Sequence, residues 1–194
     1  MKKKIEMFVR DLLKEYGLFK PECRGPIFFK EELQKYFNFE FKEIALEDKL
    51  QGAILKGKSG VKIIVNSTID NPGRKNFTYA HELGHYFLKH KLDENYNGCK
   101  AKDIEAGEKA TIIQERQANC FASFFLLPKE YVYLNYNIVM EQLGFPPFRR
   151  LNIYRNNYNI WKIVCCRFNY MCGVSDTTLR YRLEELKLLK FYVE

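Results

Sequence analysis

No run of 18 apolar residues occurs in this chain, so no segment of it has the makings of a membrane-spanning helix. The opening Met1-Lys2-Lys3-Lys4 lacks the uninterrupted apolar stretch of a secretory leader, because Arg10, Asp11, Lys14 and Glu15 interrupt the apolar residues after it. None of the six cysteines forms a C-x-x-C pair, and the adjacent Cys165-Cys166 is a poor start for a disulfide framework. Reduced thiols are expected, with Cys120 buried as a small apolar side chain, in a soluble cytoplasmic protein. Internal repeats and low-complexity linkers are missing as well. Acid is the scarcer sign: 24 acidic against 32 basic side chains leave +8, which favours nucleic acid or an acidic protein surface as partner.

What is present is ordinary globular material. Hydrophobic residues at 46% and charged residues at 29% exclude wholesale disorder. A chain of 194 residues can bury about 70% of its unfolded surface, so one core needs no cross-links. The 16 Phe and 13 Tyr supply that core, and Tyr131, Tyr133, Tyr136, Phe145 and Phe148 are assigned to packing rather than to a binding strip.

Apolar spacing predicts an amphipathic helix over 3–16, stopped at Gly17, and a short helix over 30–36. Phe37, Phe39 and Phe41 alternate with polar residues, as a half-buried strand does. Residues 52–55 and 61–65, joined across 56–60, predict a hairpin. A loop is expected over 66–75, a helix over 77–89, an irregular loop over 91–103, and a long helix over 104–126 ended by Pro128. The remainder is mostly helical with a break at 144–147. The pattern is α+β, helices packed around a small sheet.

His81-Glu82-Leu83-Gly84-His85 is H-E-x-x-H on a predicted helix. The spacing puts both imidazoles on one face, one turn apart, where they can share a metal ion. Glu82 lies beside them, close enough to polarise a metal-bound water. With only 3 His in the chain, chance yields this motif in roughly three such sequences per thousand. A catalytic zinc needs a third protein ligand. Glu115 on the second long helix is a candidate, and its other reading is a solvated helix carboxylate. Asn119 shares the face of Glu115 and can hydrogen-bond a ligand; Ala118 and Ala122 form a small-residue strip that lets two helices approach closely.

Asn66, the run from Arg74 through His85, Glu115-x-x-Ala118-Asn119-x-Phe121-Ala122 and Leu126-Leu127-Pro128 together resemble the ImmA/IrrE family of zinc metallopeptidases. The resemblance covers roughly residues 50–130. It implies a zincin-like core over 49–134, made of a small sheet, the H-E-x-x-H helix and a helix bearing the glutamate ligand. Residues 1–48 and 135–194 flank it as helical segments of one compact unit. It further implies His81, His85 and Glu115 as ligands of Zn2+, with Mn2+ or Fe2+ able to take the same place, and Glu82 as general base. The better-understood members cut a helix-turn-helix repressor of a phage or mobile element. No role carries over to His90, which is expected at the surface or a helix end, with a substrate contact as its other reading. The oxyanion donor stays open, Tyr79 included.

The strand 61–65 is expected to offer a sheet edge to an extended substrate. Residues 161–171, a turn at 172–174 and Ser175 as N-cap before 176–188 have helix-turn-helix geometry. From Glu141 on, nine basic and five acidic side chains leave +4, but Asp176, Glu184 and Glu185 interrupt the second helix. That favours packing or substrate docking over DNA reading. Besides a peptidase, two classes stay open: a regulator that binds DNA around a structural metal, and an anti-repressor that sequesters its partner uncut. A monomer is the default.

Overall fold

Ile5, Val9, Leu12 and Leu13 form the buried stripe of α1 (Lys2–Glu15) in the computed structural model, and left-handed Gly17 (φ 62°) follows the helix end. The structure describes residues 1–19, 27–46, 50–57, 60–90, 98–100 and 109–192, with backbone alone at 27–29, 98–100 and 109–111. A short α2 (Ile27–Tyr36) precedes β1 (Phe39–Ile44). Next come β2 (Leu50–Gly57) and β3 (Gly60–Asn66), the predicted hairpin, longer at both ends than its apolar runs.

The four-stranded sheet has the order β1-β3-β2-β4, with β4 (Gly98–Lys100) antiparallel to β2 and β1 parallel to β3. This overturns the expectation that 61–65 offers an edge. β3 is flanked on both sides, and Ile63, Ile64 and Val65 are all buried, as an interior strand requires. Residues 98–100, expected in a loop, are a strand; 91–97 and 101–108 lie outside the described residues.

Asn66 ends β3 as a buried clip. Its Oδ1 accepts from Thr68 N at 3.1 Å and its Nδ2 donates to Leu50 O at 2.8 Å, tying the turn after β3 to the start of β2. The loop expected over 66–75 is half helix: α3 (Pro72–Phe87) begins at Pro72. Asn71 caps it by accepting from Arg74 N at 3.0 Å, and Pro72 sits where its missing N–H costs nothing. Asn-Pro-Gly is therefore a helix start here rather than a turn.

Against α3 lies α4 (Lys109–Leu126), which also carries α1 on another face. A Cβ on Gly84 would come within 3.1 Å of Ala118 Cα and Phe121 Cβ. The expected small-residue strip thus does its work, with Ala118 and Ala122 fully buried.

Pro128 leads into α5 (Lys129–Gln142), and Gly144 (φ 71°) marks the expected break. The C-terminal segment holds α6 (Tyr158–Cys172) and α7 (Asp176–Glu185), the latter capped by Ser175, which accepts from Thr178 N. A two-stranded parallel pair, β5 (Leu151–Ile153) with β6 (Leu189–Phe191), adds strands to a segment expected to be mostly helical. Three-residue strands carry too little periodicity to be recognised. The Tyr136 hydroxyl lies 2.7 Å from Arg149 O and 2.9 Å from Leu188 O, joining both sides of this pair to the core. Tyr131 and Tyr136 are core residues as expected, whereas Phe148 is exposed. Cys120, expected buried, is only half-buried. Among the described residues no helix is long and apolar enough to cross a membrane.

The turn between α6 and α7 is clamped to the start of α3. Asn76 Nδ2 donates to Gly173 O at 2.9 Å, and a Cβ on Gly73 would fall 2.3 Å from Ser175 N. Farther along α7, buried Arg182 donates to Leu127 O (3.0 Å), Glu6 (2.7 Å) and Glu185 (2.8 Å) over the ring of Phe124. One guanidinium so joins α1, the end of α4 and α7. Arg182→Ala should lower the unfolding free energy by about 2–3 kcal/mol, because it strands the buried Leu127 carbonyl and takes the guanidinium from Glu6, while Glu185 keeps Lys2. Arg182→Lys should recover little of it, since an ammonium cannot span the three acceptors. Urea denaturation midpoints of the three proteins check this.

Candidate metal centre

Burial of the whole 78–85 stretch of α3 presses His81 and His85 against α4, where Glu115 faces them one turn before Asn119. The two Nε2 atoms are 3.0 Å apart. Glu115 Oε2 lies 3.2 Å from His81 Nε2, and Oε1 lies 3.3 Å from His85 Nε2. These three residues each offer one ligand atom, and all the atoms lie within 4.8 Å of one another. Around a tetrahedral ion with bonds of about 2.1 Å, neighbouring ligand atoms are roughly 3.4 Å apart, so the spacing fits a divalent cation.

The tautomers point the same way. His81 Nδ1 is 3.0 Å from Asn119 Oδ1, an oxygen that only accepts, so Nδ1 carries the hydrogen and Nε2 keeps its lone pair. Lone pairs on nitrogen and carboxylate oxygen thus converge on one point, an arrangement that repels itself until a cation enters. Without a metal, a proton takes that role. Burial opposes charge on His81, but the hydrogen bond to Glu115 and the charges of Glu82 and Glu115 prevail and raise its pKa. Burial opposes charge on Glu115 too, yet bonds from both imidazoles hold its carboxyl well below the usual range.

Glu82 is almost wholly buried on the sheet side of α3. A Cβ on Gly52 of β2 would lie 2.9 Å from its Oε1 and 2.6 Å from Thr78 Cγ2, so the missing side chain at 52 makes room for this carboxylate. Tyr79 points elsewhere: its ring is buried and its hydroxyl donates to Lys42 O at 3.1 Å, away from the metal ligands. Asn119 also lines a groove of about 850 Å³ between α3, α4 and α7, shared with Arg74, Phe77, Ser123, Thr178 and Tyr181.

His90, expected at the surface or a helix end, is buried behind His85, the two Nδ1 atoms 3.2 Å apart. The cause is the way α3 ends. His90 N donates to His85 O and Lys89 N to Tyr86 O, with Lys89 left-handed at φ 55°. That is a Schellman turn, which folds the second residue past the helix back onto its last turn. Glycine is the usual signal for it, and lysine adopts it at a cost of about 1 kcal/mol, so the sequence conceals it. Gln117, which no sequence motif singles out, places Oε1 3.0 Å from His90 Nε2.

Adding zinc to chelator-treated protein should raise its melting temperature, with about 2.7 kcal/mol of stabilisation once the free metal is a hundredfold above Kd. Glu115→Ala should abolish most of the rise. Because the metal must displace the proton that the raised pKa keeps on His81, the rise should be smaller at about pH 5.5 than at about pH 7.5. Scanning calorimetry with and without zinc at the two pH values reads both effects.

Among known proteins, the family model for the IrrE N-terminal-like domain, Peptidase_M78, matches residues 30–138, more than half of the chain. No curated protein matches it. The matched stretch runs from α2 into α5 and carries both the H-E-x-x-H helix and the helix of Glu115. The chain is thus a member of the IrrE N-terminal-like family, a metallopeptidase-type family whose zincin-like α+β core is the one seen here.

Proposed function

We propose that this chain is a zinc-dependent endopeptidase that cuts a specific protein, a helix-turn-helix repressor of a phage or mobile element, and so relieves repression in the cytoplasm. The observation that carries the peptidase reading is the pairing of the His81–His85–Glu115 cluster with a buried carboxylate, Glu82, next in sequence to the first ligand. A metal held only for structure has no use for a base beside it. Zinc is favoured by two imidazoles and one carboxylate, and manganese or iron can use the same donors.

In this reading His81 and His85 bind through Nε2 and Glu115 through its carboxylate, while Asn119 holds the His81 ring in place. A zinc ion held there would supply Lewis acidity to a water and to a peptide carbonyl. Glu82 would be the carboxylate that accepts the water's proton and hands it to the departing amine. Gly52 sets where the carboxylate stands, because the backbone of β2 is what it leans on.

The protein substrate is supported by family membership and by the groove. Its wall from α7 offers Thr178 and Tyr181 to a polypeptide, which suits α7 to substrate docking. The acids Asp176, Glu184 and Glu185 on α7 disfavour DNA there.

Intact-mass analysis of the zinc-loaded protein with the helix-turn-helix repressor encoded beside it tests the proposal. Two complementary repressor fragments are expected, and Glu82→Gln should bind zinc normally yet cut at least about 10³-fold more slowly. An uncut repressor in a stable complex would instead establish sequestration, and Glu82→Gln with full cleavage would remove Glu82 from the chemistry. Gly52→Ala should leave zinc content intact and lower kcat by about 10- to 100-fold, by moving the base rather than deleting it.

A further inference from the structure

The ring nitrogens behind the metal cluster form a second, ordered chain. His85 turns Nε2 toward Glu115 and His81, so its Nδ1 is the nitrogen left to carry hydrogen. That Nδ1 faces His90 Nδ1 at 3.2 Å, and His90 Nε2 faces Gln117 Oε1 at 3.0 Å. The Gln117 oxygen only accepts, so His90 must donate from Nε2 and receive at Nδ1. Each link then has one donor and one acceptor, all running the same way: His85 Nδ1–H to His90, then His90 Nε2–H to Gln117.

We infer that His90 and Gln117 are positioning residues for the metal centre. They fix His85 in the tautomer and ring orientation that leave Nε2 free to bind the ion. The inference rests on the reading of His85 as a ligand. The fold supplies the means from two directions. The Schellman turn at Lys89 carries His90 under His85, where such turns ordinarily bring two apolar side chains together. From the other side, α4 presents Gln117 two residues after Glu115, so one helix delivers both a ligand and the last acceptor of the relay. His81 Nδ1 meets an amide, Asn119, and His85 Nδ1 meets an imidazole backed by an amide. The His90 imidazole, polarised by Gln117, is a stronger acceptor than an amide alone and so holds the His85 ring the more firmly in this orientation.

Zinc affinity, measured by competition with a chromophoric chelator at fixed pH, tests this without any substrate. His90→Leu, close in size but without an acceptor, should weaken zinc about 10- to 100-fold. His90→Gln, whose amide oxygen can accept from His85, should recover part of the loss. Gln117→Leu, at a partly exposed position that tolerates change, should weaken zinc by a smaller factor. The double variant should be no worse than His90→Leu, because Gln117 acts only through His90. In cobalt-substituted protein the visible absorption band should shift in His90→Leu, reporting a changed ligand field. Unchanged zinc affinity in His90→Leu or, should that variant fail to fold, in Gln117→Leu would overturn the inference and leave His90 as packing. Glu115→Ala separates the ligand set from the relay behind it: if this variant still binds zinc at wild-type affinity, the ligand set itself falls and the relay with it.

Discussion

The distance between α3 and α4 decides whether this chain has a metal site. Glu115 has a short side chain and must meet two imidazoles from a neighbouring helix, at 3.2 and 3.3 Å, without bending either backbone. The helices come that close because Gly84 faces Ala118, where even one added methyl would meet atoms at 3.1 Å. On its sheet side α3 meets Gly52, and at its start Gly73 meets the backbone at Val174 and Ser175. Each of the three surfaces that grip this helix therefore closes on a glycine. Tight packing leaves discrete positions rather than a continuum, and that is what holds three ligands in register.

Such a site works against the stability of the fold around it. His81, Glu82, His85 and His90 are all buried, in a region where apolar side chains would pack at no electrostatic cost. The chain offsets the burden with partners, Asn119 for His81 and the His90–Gln117 pair for His85, and with a proton shared at Glu115. A cation resolves the convergence of lone pairs more fully than a proton, since one ion can satisfy all three ligands. Metal binding and the stability of this region are then one free energy viewed from two sides.

The parts of this arrangement that sequence reveals are those encoded by local spacing. Histidines four apart on an apolar stripe, a hairpin with glycines at its turn, an alanine pair on α4 and Ser175 before α7 each announce their geometry within a turn or two of chain. Other features depend on what packs alongside. Whether 61–65 is an edge or an interior strand rests on β1, which pairs with β3 from outside the hairpin. Asn71-Pro72-Gly73 serves equally as a turn or as a cap with proline at the first helical position, and contact with Ser175 accompanies the second. The burial of His90 is hidden from sequence because a left-handed lysine does what glycine ordinarily signals.

The C-terminal segment has the outline of a DNA reader, yet its turn is consumed in gripping α3 through Asn76 and Gly73. With its turn so anchored, α7 forms part of the wall of a groove that Asn119 also lines. That residue has two neighbours of different kind, the His81 ring on one side and the open groove on the other. Its amide oxygen holds His81 Nδ1–H, so one side chain both lines the groove and orients the ring of a candidate metal ligand. His85 is braced instead from the buried side, by His90. The asymmetry follows from position on α3: the described α3 residues that line the groove, Arg74 and Phe77, lie toward the start of the helix, nearer His81 than His85.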